Sequence, residues 1–172
     1  VGANPYRGLQ AFDVTDSGLF FGRDALTDWL RSDLRSSLAS RGASRLLAIV
    51  GASGSGKSSL ARAGLLAQLA AGALEGSAHW PQIVLKPGAD PLASLAIAGA
   101  DALALGADDA AVLTFQDRLL ADARSLHTRA SLALRGTPVG TRLVLLVDQF
   151  EEIFTLCPSE PYRHAFIDNL LH

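Results

Sequence analysis

The eight residues Gly51-Ala-Ser-Gly-Ser-Gly-Lys-Ser58 constrain this chain more than any others. They satisfy the pattern G-x-x-x-x-G-K-[ST], and they follow the apolar run Arg45-Leu-Leu-Ala-Ile-Val50. Helical apolar spacing begins directly after them. A strand, a glycine-rich loop and a helix in that order make a cradle for phosphate. Small residues let successive backbone N–H groups curl around phosphate oxygens, and a side chain at Gly54 or Gly56 is expected to obstruct the approach. The helix opening at Lys57 points its positive end at the same anion. Lys57 is expected to reach the β- and γ-phosphates of a nucleotide, and the Ser58 hydroxyl to ligate Mg²⁺. The candidate nucleotide-binding set is Gly51, Ala52, Ser53, Gly54, Ser55, Gly56, Lys57, Ser58 and Ser59.

The bulk properties narrow the class. At 172 residues, one domain with a real core is the natural expectation. The net charge of −2 gives no electrostatic case for a nucleic-acid partner. The histidines stand at no metal-ligand spacing. Cys157 is alone, so there is no disulfide framework, and a reducing, cytoplasmic compartment is expected. Val1 to Leu9 has no apolar core of a leader peptide. The longest apolar run, Pro91 to Leu105, is broken by Asp101 and is too short to span a bilayer, so it reads as a buried helix and no membrane partner is expected. The chain starts at Val1 rather than Met and ends within the helical pattern Leu170-Leu171-His172, which reads as the N-terminal part of a larger nucleotide-binding domain. Residues 1–44 form a lead-in segment and helix, and residues 45–172 an incomplete core.

Strands alternate with helices along the chain. Asn4 to Gly22 is turn-rich. Asp24 is placed to cap a helix whose apolar stripe is Leu26, Trp29, Leu30, Leu34 and Leu38, with Arg31, Arg35 and Arg41 on a solvated face and Gly42 as its end. Arg45 to Val50 reads as a central parallel strand. Lys57 to about Leu74 is helical and apolar nearly all round. Gln82 to Lys86 is a second strand. Asp90-Pro91 reads as an N-cap with proline at the first helical position, opening a helix to Leu105. Asp109 to Arg135 is helical with one break, Gly136 to Gly140 a turn, Leu143 to Val147 a third strand, and Glu160 to Leu171 the last helix. This order predicts an α/β layer fold with a mostly parallel sheet.

Asp148 stands at the C-terminal end of the third strand, where open α/β sheets bind their ligands. An aspartate there can hold Mg²⁺ through its water shell. If the chain turns helical after it, Phe150, Ile153 and Phe154 share one side, and Glu151 and Glu152 face away, Glu152 more so. Either glutamate is a candidate to orient or deprotonate an attacking water, with Glu152 preferred.

Five strings together carry a family resemblance: NPYRGLQAF, LFFGRDAL, LLAIVGASGSGKSSLARAGLL, VLKPGADPLASLA and LVLLVDQFEEIFTLC. They resemble the STAND NTPases, in particular the bacterial branch called novel STAND NTPase 1, whose members commonly carry WD40 repeats. The resemblance implies an AAA-like P-loop fold, a three-layer sandwich, here truncated after the Walker B strand and one helix. It implies a switch with slow, regulated ATP turnover, in which bound ATP or ADP with Mg²⁺ sets the state. Such proteins couple a sensor region to an effector by oligomerisation, in signalling or defence. It also implies a nucleotide contact for Arg23, in Phe21-Gly22-Arg23.

Other readings predict other residues. An ABC-type ATPase would carry an LSGGQ-type signature before the strand and a glutamate directly after its aspartate. This chain has SLALRGTPVG and Gln149 there. A small-molecule kinase would need an arginine-rich lid. Arg118, Arg124, Arg129 and Arg135 lie in the right region but are spaced as solvated helix positions. A degenerate P-loop used only for assembly would not need Lys57, Ser58 and Asp148 intact.

Overall fold

A computed structural model describes residues 11–39, 46–106 and 108–172. They group into two units, Val1–His79 and Trp80–His172. Arg41, Gly42, Arg45 and the start of the lead-in segment lie outside the described residues.

In the first unit, the part of the lead-in expected only as turns contains a short 3₁₀ helix, Val14–Leu19. Asp13 caps it, and the Asp16 carboxylate accepts in turn from the Asp13 amide. Helix α1 is Asp24–Ala39. Asp24 is its first helical residue rather than the expected cap. The helix after the glycine-rich loop runs without a break through α2 (Lys57–Ser59), a π-helical segment Leu60–Leu66 and α3 (Ala67–Ala70). It stops before Gly72, whose φ of 83° takes the chain out of the helix. Ala61, Ala63, Leu65, Leu66 and Leu69 are buried, as an apolar helix requires. Ser77, fully buried, accepts from the Leu74 amide and donates to the Leu69 carbonyl, which satisfies two backbone groups below that helix.

The face that α1 presents differs from the expected stripe. Thr27 and Leu30 are buried, whereas Leu26 and Trp29 are exposed, Trp29 by 62%. The cause is a close helix–helix approach at Gly64. A Cβ built there would lie 2.9 Å from Thr27 Oγ1, so the two helices meet where both side chains are small. That contact rotates α1 away from the stripe's centre. Arg31 and Arg35 are not simply solvated. Arg31 pairs with Asp28 and donates to Gln68 Oε1, and Arg35 donates to the Ala73 carbonyl.

Of the strand expected at Arg45–Val50, the described residues 46–50 lie outside any sheet. Residues 46–50 belong to no ladder, with Leu46 70% and Val50 91% exposed. Apolar character permits burial, but a strand is defined by a ladder to a neighbouring strand, and among the described residues the ladder is that of residues 82–85 with 144–147.

The second unit holds a two-stranded parallel sheet, β1 (Gln82–Leu85) and β2 (Val144–Val147). Gln82 stands opposite Val144 and Leu85 opposite Val147. Between them the chain makes its crossover through α4 (Pro91–Gly99), α5 (Asp109–Ala121) and α6 (Ser125–Ala133). After β2 come α7 (Glu152–Thr155) and α8 (Glu160–Leu171). Asp90 caps α4 through the Ala93 amide, with Pro91 at the first turn, as expected. That helix ends at Gly99 rather than Leu105; Leu103 follows in a turn and is fully buried beside it. The expected break within 109–135 falls at Asp122–Arg124. Ile83 and Leu85 pack with Leu92, Leu95, Phe115, Leu119, Ile153 and Phe166 into one core. Asn169, 2% exposed, is satisfied there: it accepts from the Leu126 amide and donates to the Leu119 and Ala165 carbonyls. No helix among the described residues is long and apolar enough to cross a membrane.

Candidate functional site

The glycine-rich loop turns by left-handed backbone at two positions. Gly54 has φ 76° and Gly56 φ 85°. A Cβ at either would meet nothing within 4 Å. The glycines are therefore required for conformation, rather than to avoid the protein's own atoms. Gly56 stands directly before α2, and its carbonyl accepts from the Leu60 amide, so the loop feeds straight into the helical ladder.

Lys57 folds back over this loop. Its Nζ donates to the Gly51 carbonyl at 2.7 Å and the Ala52 carbonyl at 2.9 Å. An ammonium on two carbonyls is a compact, movable cation beside a run of backbone amides. That is the donor set a polyphosphate needs, and the carbonyls hold the cation at hand. Ser58 follows on the first turn and is half-buried. Ser59 faces inward: its Oγ accepts from the Phe12 amide at 3.0 Å, which ties the lead-in segment to the start of the helix.

Arg23 comes to the same loop. Its Nη2 donates to the Ser55 carbonyl at 3.4 Å, although the two residues lie in different elements. The backbone just after it supports α1, since the Arg23 carbonyl accepts from both the amide and the hydroxyl of Thr27. Sequence reasoning linked Arg23 to the nucleotide only by resemblance; the structure brings it to the loop.

The acidic turn belongs to the second unit. The Asp148 amide donates to the Leu85 carbonyl at 2.8 Å, extending the β1–β2 ladder by one bond, and Asp148 is 9% exposed. Gln149 then adopts φ 55°, a left-handed conformation uncommon outside glycine. Its carbonyl accepts from the Glu152 amide at 2.9 Å, closing the turn into α7. Ile153 is fully buried, Phe150 packs against both Phe154 and the core residue Phe166, and Phe154 is the exposed end of that apolar side. The two glutamates part. Glu151 is exposed. Glu152 is half-buried, and its Oε2 accepts from the Gly88 amide at 3.1 Å. The expectation that Glu152 faces away more than Glu151 is thus reversed. The short α7 carries Glu152 back toward the loop after β1, which offers it a backbone donor.

The sequence pattern contained no sign of Gly88 as a partner, or of the left-handed Gln149. The string Lys86-Pro-Gly-Ala-Asp90 signalled a loop, yet which acid it would meet depends on the β1–β2 register. Among the described residues no cluster of three or more His, Cys, Asp or Glu could hold a metal ion. Ser58 belongs to the first unit and Asp148 to the second, and each carries an oxygen of a kind that divalent ions take. Mg²⁺ keeps most of its waters and takes one or two protein oxygens plus phosphate, so single hydroxyl and carboxylate oxygens are the donor types it uses.

A family model described as Novel STAND NTPase 1 matches residues 5–172. No curated protein matches the chain, and no solved structure does.

Proposed function

The chain belongs to the Novel STAND NTPase 1 family, and from that premise we propose that it is an ATP-binding, Mg²⁺-dependent switch with slow, regulated hydrolysis. The observation that carries the reading is the loop at 51–58, with left-handed Gly54 and Gly56 and the Lys57 ammonium resting on its own carbonyls. On binding, Lys57 exchanges the Gly51 and Ala52 carbonyls for the β- and γ-phosphates. The backbone amides of 52–57 and the helix they open hold the rest of the triphosphate. Ser58 and Asp148 hold the divalent ion, which neutralises phosphate charge when bound. Arg23, already hydrogen-bonded to the loop, adds a contact to the nucleotide. A glutamate of the acidic turn, Glu151 or Glu152, orients the attacking water. Gln149, in the position where fast ATPases carry a glutamate, fits slow turnover.

The fold proposed for the whole nucleotide-binding domain is the three-layer sandwich of P-loop NTPases, with a sheet larger than the two strands described. The proposed partners are the nucleotide, other copies of the same chain, and sensor and effector regions of the kind such switches connect, in signalling or defence. ATP binding by the full-length protein tests the reading. Lys57→Ala removes charge-assisted contacts and should weaken binding about 10- to 100-fold. Asp148→Ala should abolish the Mg²⁺ dependence of binding. Unchanged affinity and unchanged Mg²⁺ dependence in these variants would sink the proposal.

A further inference from the structure

We infer that the two glutamates of the acidic turn have different jobs: Glu152 is a positioning residue that fastens the turn to the loop after β1, and Glu151 carries the carboxylate that orients water. The Glu151 half rests on the nucleotide-hydrolysing reading above; the Glu152 half rests on geometry alone.

Glu152 reaches across 64 residues of sequence to accept from the Gly88 amide at 3.1 Å. Gly88 has φ 61°, a conformation that costs glycine little and other residues more, and it sits in a loop stitched down on its other sides. Ser94 Oγ donates to the Pro87 carbonyl at 3.0 Å. Asp90 caps α4 with one oxygen and accepts from Gln116 Nε2 with the other, at 3.0 Å. The loop is therefore fixed to α4 and α5, and Glu152 fixes the turn to the loop. The turn is also held by the Asp148 amide on Leu85 at one end, by Phe150 against Phe166, and by fully buried Ile153 at the other end. Among the described residues, the Glu152 contact is the long-range hydrogen bond of residues 149–152, whose backbone amides otherwise bond locally.

A water-orienting carboxylate needs oxygens that are open to a water and not engaged in holding the fold. Glu152 is half-buried and has one oxygen on a backbone amide. Glu151 is exposed, and its side chain makes no hydrogen bond or ion pair among the described residues. It stands three residues after Asp148, on the one turn both acids share.

The two roles respond differently to the same substitution. Glutamine keeps an oxygen that can accept from Gly88 but takes up no proton. Alanine removes the acceptor altogether. In the full-length protein, Glu151→Gln should lower kcat by about 100-fold or more with KM and ATP affinity unchanged. Glu152→Ala should lower kcat by about tenfold through misplacement of the turn, and Glu152→Gln should recover most of that loss. Amide hydrogen exchange read on the 86–90 segment, without nucleotide, should accelerate in Glu152→Ala and return to the wild-type rate in Glu152→Gln. A 100-fold loss in Glu152→Gln with full turnover in Glu151→Gln overturns the assignment while leaving the ATP switch intact. Unchanged exchange at 86–90 in Glu152→Ala overturns the positioning role, whatever the nucleotide result. Wild-type protein that binds no ATP removes the nucleotide reading and the Glu151 role with it, and the exchange measurement still decides Glu152.

Discussion

Two turns in this chain follow an apolar run and lead into a helix, and both pass through left-handed backbone. The turn at 51–57 does so with glycine, at Gly54 and Gly56. The turn at 148–152 does so with Gln149, a residue that carries a Cβ. Glycine adopts that conformation freely, whereas for an L-residue the Cβ crowds the following carbonyl at a cost of about 1–2 kcal/mol. The first turn is therefore determined locally, since its residues favour the shape without help. The second is imposed by its surroundings. The Asp148–Leu85 hydrogen bond, buried Ile153 and the Glu152–Gly88 contact hold its two ends, and Gln149 takes the conformation that connects them.

This contrast can be broken by exchanging the residue types. The largest effect is expected for Gly56→Val. A β-branched residue at φ 85° should cost about 2 kcal/mol or more in chemical denaturation and remove ATP binding. Retained stability would mean the loop does not need left-handed backbone. Gly56→Ala should cost about 1 kcal/mol, because the Cβ strain exceeds the entropy that alanine saves in the unfolded chain. The smallest effect has the opposite sign. Gln149→Gly should stabilise by about 0.5 kcal/mol, as relief of strain outweighs the greater freedom of glycine when unfolded. A loss of stability in Gln149→Gly would show that the glutamine side chain contributes more than its backbone costs.

Much of the architecture was legible wherever the signal was local. Asp90-Pro91 cap and open α4, since a carboxylate accepting from the first turn and a proline without an N–H both act within a few residues. Glu160–Leu171 is helical over the expected span, behind Ser159 as its cap. Gln82–Leu85 and Val144–Val147 pair as parallel strands, each within a residue of its expected ends. The left-handed turns of the glycine-rich loop were legible for the same reason, because the conformation is encoded in the glycines themselves. Leu46–Val50 is the counterexample. Its apolar run reads like that of β2, yet it forms no ladder among the described residues. The stripe of α1 was also misjudged, because Gly64, more than 30 residues away, decides which side of that helix is approached most closely.

The amino-acid sequence alone determined the glycine-rich loop, helix caps such as Asp90 and Ser159, much of the strand–helix alternation and the family, since each depends on residues close together in the chain or on strings of them. Only the tertiary structure decided that Arg23 meets the loop, that Gln149 is left-handed, and that Glu152 rather than Glu151 is bound to Gly88. Those outcomes depend on which distant backbone groups the packing delivers to a side chain. A carboxylate of a given type looks the same in sequence whether it will face water or a buried amide, and the parallel register of β1 with β2 makes the difference.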